Sequence, residues 1–218
     1  MTPIGEQYLA AVLVLQLDGA HGPIRTSDIS KKMEKHAGSV THMIQRLAES
    51  GFVSYEPSHG VKLLPPGRVI ALRWLRRQRM LKKFLGEALG FDWAEVTGEA
   101  QRLADSASAT LIDRIEVRLG YPRFDPHGDP IPDREGNLPD CHDVQLATLR
   151  EGSCFVVTRI VDQSPQFLRY LTSEGVAIGT TGTLIEHDLQ GDTIRTRIAS
   201  RPLVFARAVA GKIAVTLS

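Results

Sequence analysis

The chain has 218 residues, 42% of them hydrophobic and 23% charged, with two cysteines and a formal net charge of +1. That composition excludes a disordered or fibrous chain and suits one two-part protein or two to three small domains. It also excludes a membrane span, since no apolar run reaches ~18–20 residues, and a disulfide framework. The small net charge conceals an asymmetry: Lys and Arg against Asp and Glu number 13 to 7 over residues 1–90, 5 to 11 over 91–140, and 8 to 7 over 141–218.

In chain order, Ile4, Tyr8, Val12 and Leu15 repeat at helical spacing up to Asp18-Gly19. This N-terminal stretch lacks a basic leader and carries Glu6, against a signal peptide, so a reducing cytoplasm is the expected compartment. Thr26 is placed as the N-cap of a short second helix with Asp28 in its first turn, where the helix dipole favours a carboxylate. A third helix carries Val40, Ile44 and Leu47 at core spacing and leaves Ser39, Thr41, His42, Gln45 and Arg46 facing outward. FVSYEPSHGVKLL alternates about Ser58-His59-Gly60 as a two-stranded wing should. A long helix follows Pro65-Pro66-Gly67, then helical stretches over 92–108 and 109–119. From Tyr121 the chain is dense in Pro, Gly and Asp, an irregular arm. From about Val144 five short alternating runs, interrupted by one helix at SPQFLRYLTSEG, fit a small β-barrel.

Three helices and a wing make a winged helix-turn-helix, whose second paired helix can lie in a DNA major groove. The basic N-terminal third agrees with an anionic partner. Ser39, Thr41 and His42 sit where base edges come within reach, while Arg46, Lys31, Lys32 and Lys62 can meet phosphates. Thr26 and Ser27 offer hydroxyls and backbone N–H groups to a phosphate at a helix start. The competing reading is a protein-docking module of the same fold that binds no DNA.

The segments TSDISKKMEKHAGSVTHMIQRLAESGFVSYEPSHGVKLLPPGR, LRRQRMLKKFLGEALGF, PHGDPIP and FLRYLTSEGVAIG together make the chain resemble the diphtheria-toxin-repressor family of metal-dependent transcription regulators. The resemblance implies an α+β fold in three parts: a winged helix-turn-helix (1–66), a helical dimerisation domain with the arm (67–140) and a C-terminal SH3-like small β-barrel (141–218). It implies a homodimer on a palindromic operator in double-stranded DNA, with no membrane. It also implies metal-site positions, at which family members bind Fe²⁺ or Mn²⁺ through Met or Asp, Cys, Glu and His. Here those positions hold Gln7, Gln78, Lys82, Thr97, Gln101, Ala104 and Asp105, with Gln163 and Gln166 in the barrel. Only Asp105 keeps a strong donor. Thr97, Gln101 and Asp105 are spaced along one side of a helix, as are Gln78 and Lys82. An ammonium ~6 Å from a divalent ion repels it by about 5 kcal/mol at an effective dielectric of ~20.

The expectation is therefore a repressor with no metal cofactor, its old site turned into a polar network in which Lys82 supplies charge to Asp105 or to a helix end. The alternative keeps Fe²⁺ or Mn²⁺ control through ligands such as Asp105 with His142 or His127. Asp140-Cys141-His142-Asp143 reads as a surface loop, and His127 as part of a docking turn. No nucleophile elbow, phosphate-cradling glycine motif or paired zinc cysteines are present, so no enzyme is expected.

Overall fold

The computed structural model describes residues 2–19 and 22–218. The first helix, α1 (Pro3–Leu17), starts at Thr2, whose Oγ1 accepts from the Gly5 N–H at 3.3 Å, with proline in its first turn. Its buried face is Tyr8, Leu9, Val12 and Leu13; Ile4, expected in the core stripe, is 56% exposed. Helix α2 (Thr26–Met33) is preceded by Arg25 as its N-cap, so Thr26 is the first helical residue and not the cap that was expected. Glu34, in the left-handed region at φ 53°, ends α2, and the Ser30 hydroxyl donates to the Lys35 carbonyl at 2.6 Å across the turn. Helix α3 (Ala37–Glu49) buries Val40, Ile44 and Leu47. Helices α1, α2 and α3 pack on one another, which hides an apolar stripe from each.

Strands β1 (Val53–Glu56) and β2 (Gly60–Leu63) pair antiparallel. Ile24, ahead of α2, exchanges two backbone hydrogen bonds of 2.8 Å with Val61, which ties the wing to the helical core. Helix α4 (Pro65–Leu89) takes in the Pro65-Pro66-Gly67 that the sequence placed ahead of it, because prolines without N–H groups suit a first helical turn. A Cβ on Gly67 would lie 2.0 Å from the Phe52 carbonyl oxygen, so that turn and the start of the wing touch through backbone.

Helices α5 (Val96–Ala104) and α6 (Ala109–Arg118) are shorter than the sequence pattern suggests. Ahead of α5, the Asp92 carboxylate accepts from the Ala94 N–H at 2.7 Å, holding a turn where helix was expected. The 121–143 segment is irregular, as expected, yet residues Asp125 and His127 to Pro132 are buried despite their polar composition.

The C-terminal part is one antiparallel six-stranded sheet in the order β3-β8-β4-β5-β6-β7. Its strands are β3 (Val144–Gln145), β4 (Cys154–Ile160), β5 (Thr181–Asp188), β6 (Thr193–Ile198), β7 (Arg201–Ala206) and β8 (Ile213–Leu217). Helices α7 (Pro165–Ser173) and α8 (Arg207–Ala210) interrupt the strand sequence. Phe155, Val157, Leu184, Ile194, Phe205 and Val215 alternate inward to form its core with Phe167, Leu168 and Leu171 of α7.

Two compact units result, one comprising the chain to Gln78 with Ala104–Ala109 and Pro132–Leu138, the other Arg79–Leu103, Thr110–Ile131 and Pro139–Ser218. No helix among the described residues is long and apolar enough to cross a membrane.

Gly67→Ala is expected to destabilise the first unit by about 2–3 kcal/mol, since the backbone it meets has no rotamer with which to yield. Gly38→Ala, whose Cβ would meet nothing closer than the His36 ring at 3.7 Å, is the matched control and should leave the melting temperature unchanged or raised. Thermal melts by circular dichroism compare the two.

Candidate functional site

The outward face of α3 is presented as the sequence implied. Ser39, His42 and Arg46 are exposed, with Thr41 half-buried beside the buried Val40 and Ile44. Ser27 and Lys62 are exposed and Thr26 is half-buried. The phosphate-facing set differs in one member: Lys32 lies 3.6 Å from Asp18, so that ammonium already has a carboxylate partner. Sequence reasoning passed over other exposed groups on these elements. Arg25 caps α2 and His36 caps α3, both exposed. The signal for both was their place just ahead of a helix, where N–H groups point outward.

The residues at the resemblance-implied metal positions divide between two polar centres. In the first unit, Gln7 Nε2 donates to both oxygens of Asp105, at 2.8 and 3.1 Å, and the Trp74 indole N–H reaches Asp105 Oδ1 at 3.3 Å. Glu6 and Arg77 form an ion pair next to Gln7 in sequence. Ala104 is fully buried and brings no donor, and Asp105 falls just beyond the end of α5. Thr97 and Gln101 lie one turn apart on α5 and differ in exposure: Gln101 is exposed, and the Thr97 hydroxyl is buried without a hydrogen-bond partner.

The second centre lies wholly in the other unit and gathers around Lys82 of α4, which is 2% exposed. Its Nζ donates to Asp125 Oδ2 at 2.9 Å and to Gln163 Oε1 at 2.8 Å, and lies 3.9 Å from Asp129 Oδ2. The expectation that Lys82 serves Asp105 is thus corrected: its partner is Asp125, and Asp105 is held by an amide and an indole. Asp125 Oδ1 accepts the backbone N–H groups of His127 and Asp129, at 2.9 and 3.0 Å, so its carboxylate both shapes the turn and meets the lysine. Asp129 accepts from Gln163 Nε2 at 2.7 Å and lies 3.5 Å from Arg159 and 3.8 Å from Arg79. Gln163 bridges by using its carbonyl on Lys82 and its amide on Asp129. Gln166, expected near the same centre, is exposed on α7, and Gln78 is buried one turn before Lys82.

Burial alone would raise the Asp129 pKa, but Arg79, Lys82, the Gln163 hydrogen bond and Arg159 outweigh it and hold the carboxyl well below its ordinary 3.8. His127 is fully buried, its ring stacked on Trp93 with centroids 5.9 Å apart. Its Nε2 lies 2.7 Å from the Trp93 carbonyl oxygen, a contact in which the ring nitrogen donates. Burial, and then the nearby Lys82 charge, lower its pKa from 6.5 against the pull of Asp125, the Trp93 carbonyl and Asp129. The turn is locked further at Gly128, with φ 83°, where a Cβ would fall 1.9 Å from the Thr158 carbonyl oxygen. Among the described residues no group of three or more His, Cys, Asp or Glu is placed to hold a metal ion. Cys141 and Cys154 are free and exposed.

Comparison with known proteins matches three family models in order. They are the iron dependent repressor N-terminal DNA binding domain over residues 1–61, the iron dependent repressor metal binding and dimerisation domain over 65–133, and the FeoA domain over 144–217. The HTH-type transcriptional regulator MntR of Geobacillus kaustophilus is 32% identical over 120 residues, covering 55% of this chain and 83% of that protein. The diphtheria toxin repressor of Corynebacterium glutamicum is 25% identical over 205 residues, 89% of this chain and 88% of that protein. A manganese-dependent transcriptional repressor, solved in complex with manganese, superposes with TM-score 0.92 at 32% identity over 98% of this chain and all of that one.

These findings overturn the expectation of no metal cofactor. The matching model over 65–133 is a metal-binding one, and the relative of TM-score 0.92 was solved with manganese. At the positions carried over by resemblance, the residues of this chain do not fit a divalent ion: one carboxylate is the only anionic donor, and the others are five amides, a hydroxyl, a methyl and a buried ammonium.

Both titrations described make the chain less stable in acid. His127, lowered in the fold, contributes fully above about pH 6.5 and progressively less as the unfolded chain takes up a proton below it. Asp129, also lowered, contributes fully above about pH 4 and loses its contribution below. The melting temperature is expected to fall from pH 7 to 5 and again below 4, and Asp129→Asn should lower it at pH 7 and flatten the second fall.

Proposed function

The chain belongs to the iron-dependent repressor family, and from that premise we propose that α3 and the wing read an operator in double-stranded DNA. The protein is a DNA-binding transcription regulator whose family acts as homodimers. Its functional division follows the sequence reading, with DNA binding in 1–66, dimerisation in 67–140 and the SH3-like domain in 141–218. A two-fold dimer presents one α3 per subunit, so the operator is palindromic with half-sites spaced by helical turns. It acts where the DNA is, in the cytoplasm, and its relatives are transcriptional regulators with no enzymatic reaction in their names.

One observation carries the reading. Helix α3 is fixed by Val40, Ile44 and Leu47, all buried, while a polar face of Ser39, His42, Gln45 and Arg46 is left in solvent. A protein-docking surface of this size would be expected to expose apolar anchors, and α3 exposes none. Thr41 and His42 are assigned to base edges. Arg46, Lys31 and Lys62 go to phosphates, with Thr26 and Ser27 meeting a phosphate at the start of α2. Lys32 contributes less, because leaving Asp18 costs it an ion pair.

Fluorescence anisotropy on a fragment of the protein's own promoter tests this. Thr41→Ala with His42→Ala is expected to reduce discrimination between operator and scrambled DNA by about 10–100-fold while sparing nonspecific binding. Unchanged discrimination would remove the assignment. Wild-type affinity should fall steeply with salt, with a log–log slope of about −0.9 per phosphate met, whereas a docking module would show almost none. Titrations in chelator and in Mn²⁺ measure how far the metal response of the relatives extends to this chain.

A further inference from the structure

We propose that the Lys82 ammonium is a built-in cation, one that does within the chain what a bound effector ion would do from outside: it ties the turn at Asp125–Asp129 to α4 and to the segment before α7. The inference stands on three features of the second unit. Lys82 is as buried as the apolar core around it, and its two close contacts, Asp125 at 2.9 Å and Gln163 at 2.8 Å, come from segments 38 residues apart in sequence. The acceptors are arranged around the nitrogen and not simply near it. Asp125 gives one oxygen to Lys82 and the other to two backbone N–H groups, and Gln163 turns its carbonyl to the lysine and its amide to Asp129. Lastly, a divalent ion added here would meet Lys82, Arg79 and Arg159, the last two already within 4 Å of Asp129. The disagreement with a metal-binding family model is therefore local and chemical: the centre has its positive charge, carried on a four-carbon stem.

Removing the side chain and returning only its head group tests this on the full-length protein. Lys82→Ala leaves a cavity lined by carboxylates and an amide, of a size suited to methylammonium and too small for tetramethylammonium. Melts are run in potassium, methylammonium and tetramethylammonium chloride at equal ionic strength. Lys82→Ala is expected to melt about 10 °C below wild type in potassium and to recover at least half of that in methylammonium alone. Wild type should melt alike in all three. Lys82→Met, which fills the space without charge, should fall and recover in none. A Lys82→Ala melt equal to wild type, or a methylammonium gain shared by wild type, would overturn the proposal.

If Lys82→Ala does not fold, the double-mutant cycle of Lys82→Met with Asp125→Asn decides. A double variant at least as stable as Lys82→Met shows that the lost charge was what mattered, whereas additive losses count against it. In the operator assay, which rests on the DNA reading above, Lys82→Ala should bind about 10-fold more tightly in methylammonium than in potassium. Failure of wild type to bind DNA would fall on that reading alone, because the melts do not depend on it.

Discussion

Two carboxylates four residues apart, Asp125 and Asp129, are buried on one turn, and a folded chain tolerates such charges only when they are neutralised in place. Burying an ion without a partner costs several kcal/mol, more than most single interactions return. Here the neutralising charges come from Lys82 and Arg79, on one face of α4, and from Arg159 at the end of β4. That requirement draws the irregular segment, the long helix and the sheet into one unit. The backbone follows: Arg79 also donates to the Pro130 carbonyl, and the Ile160 N–H donates to the His127 carbonyl at 2.9 Å. A segment that reads as a solvated linker is thereby a buried part of the fold.

The DNA-binding unit obeys a different rule. Its helices are held by apolar burial on one side, and the price of specificity is that the other side must stay polar and unengaged. Leu9, Ile29, Ile44 and Val61 are fully buried, while the side chains of α3 that lie in solvent are polar or small. At about 1.5–3 kcal/mol for each large side chain taken from water, four such residues outweigh any surface ion pair nearby. Substitutions on the outward face should therefore alter recognition with little effect on folding. The Gln7, Trp74 and Asp105 cluster stands apart from this core as a hydrogen-bonded network in which an amide and an indole satisfy the carboxylate.

Both centres use neutral amides where the family resemblance implies ionic ligands, yet they differ in kind. Around Asp105 the amide and indole are donors to a single carboxylate. Around Lys82 one amide links a cation to an anion, with charge supplied from within the chain. The manganese-bound repressor that superposes with TM-score 0.92 shows that the same fold accommodates an ion-bound form. The backbone frame is thus compatible with more than one way of neutralising these positions, and side-chain chemistry selects among them.

Sequence alone determined the elements whose signal is local. The spacing of Val40, Ile44 and Leu47 set the outward face of α3, the turn at Ser58-His59-Gly60 set the wing, and alternation from Val144 set the strands of the sheet. Each rests on a repeat of 3.6 or 2 residues, or on a turn that few residue types can make. Tertiary structure decided who pairs with whom. Lys82 lies 43 residues from Asp125 and 81 from Gln163, and no local pattern reports which carboxylate an ammonium will meet across such a separation. For the same reason Asp105, in helical step with Gln101 in sequence, went instead to Gln7, 98 residues away. Burial of the polar arm was hidden as well, since a Pro-, Gly- and Asp-rich composition announces solvent unless the charges that compensate it, all distant in sequence, are already in place.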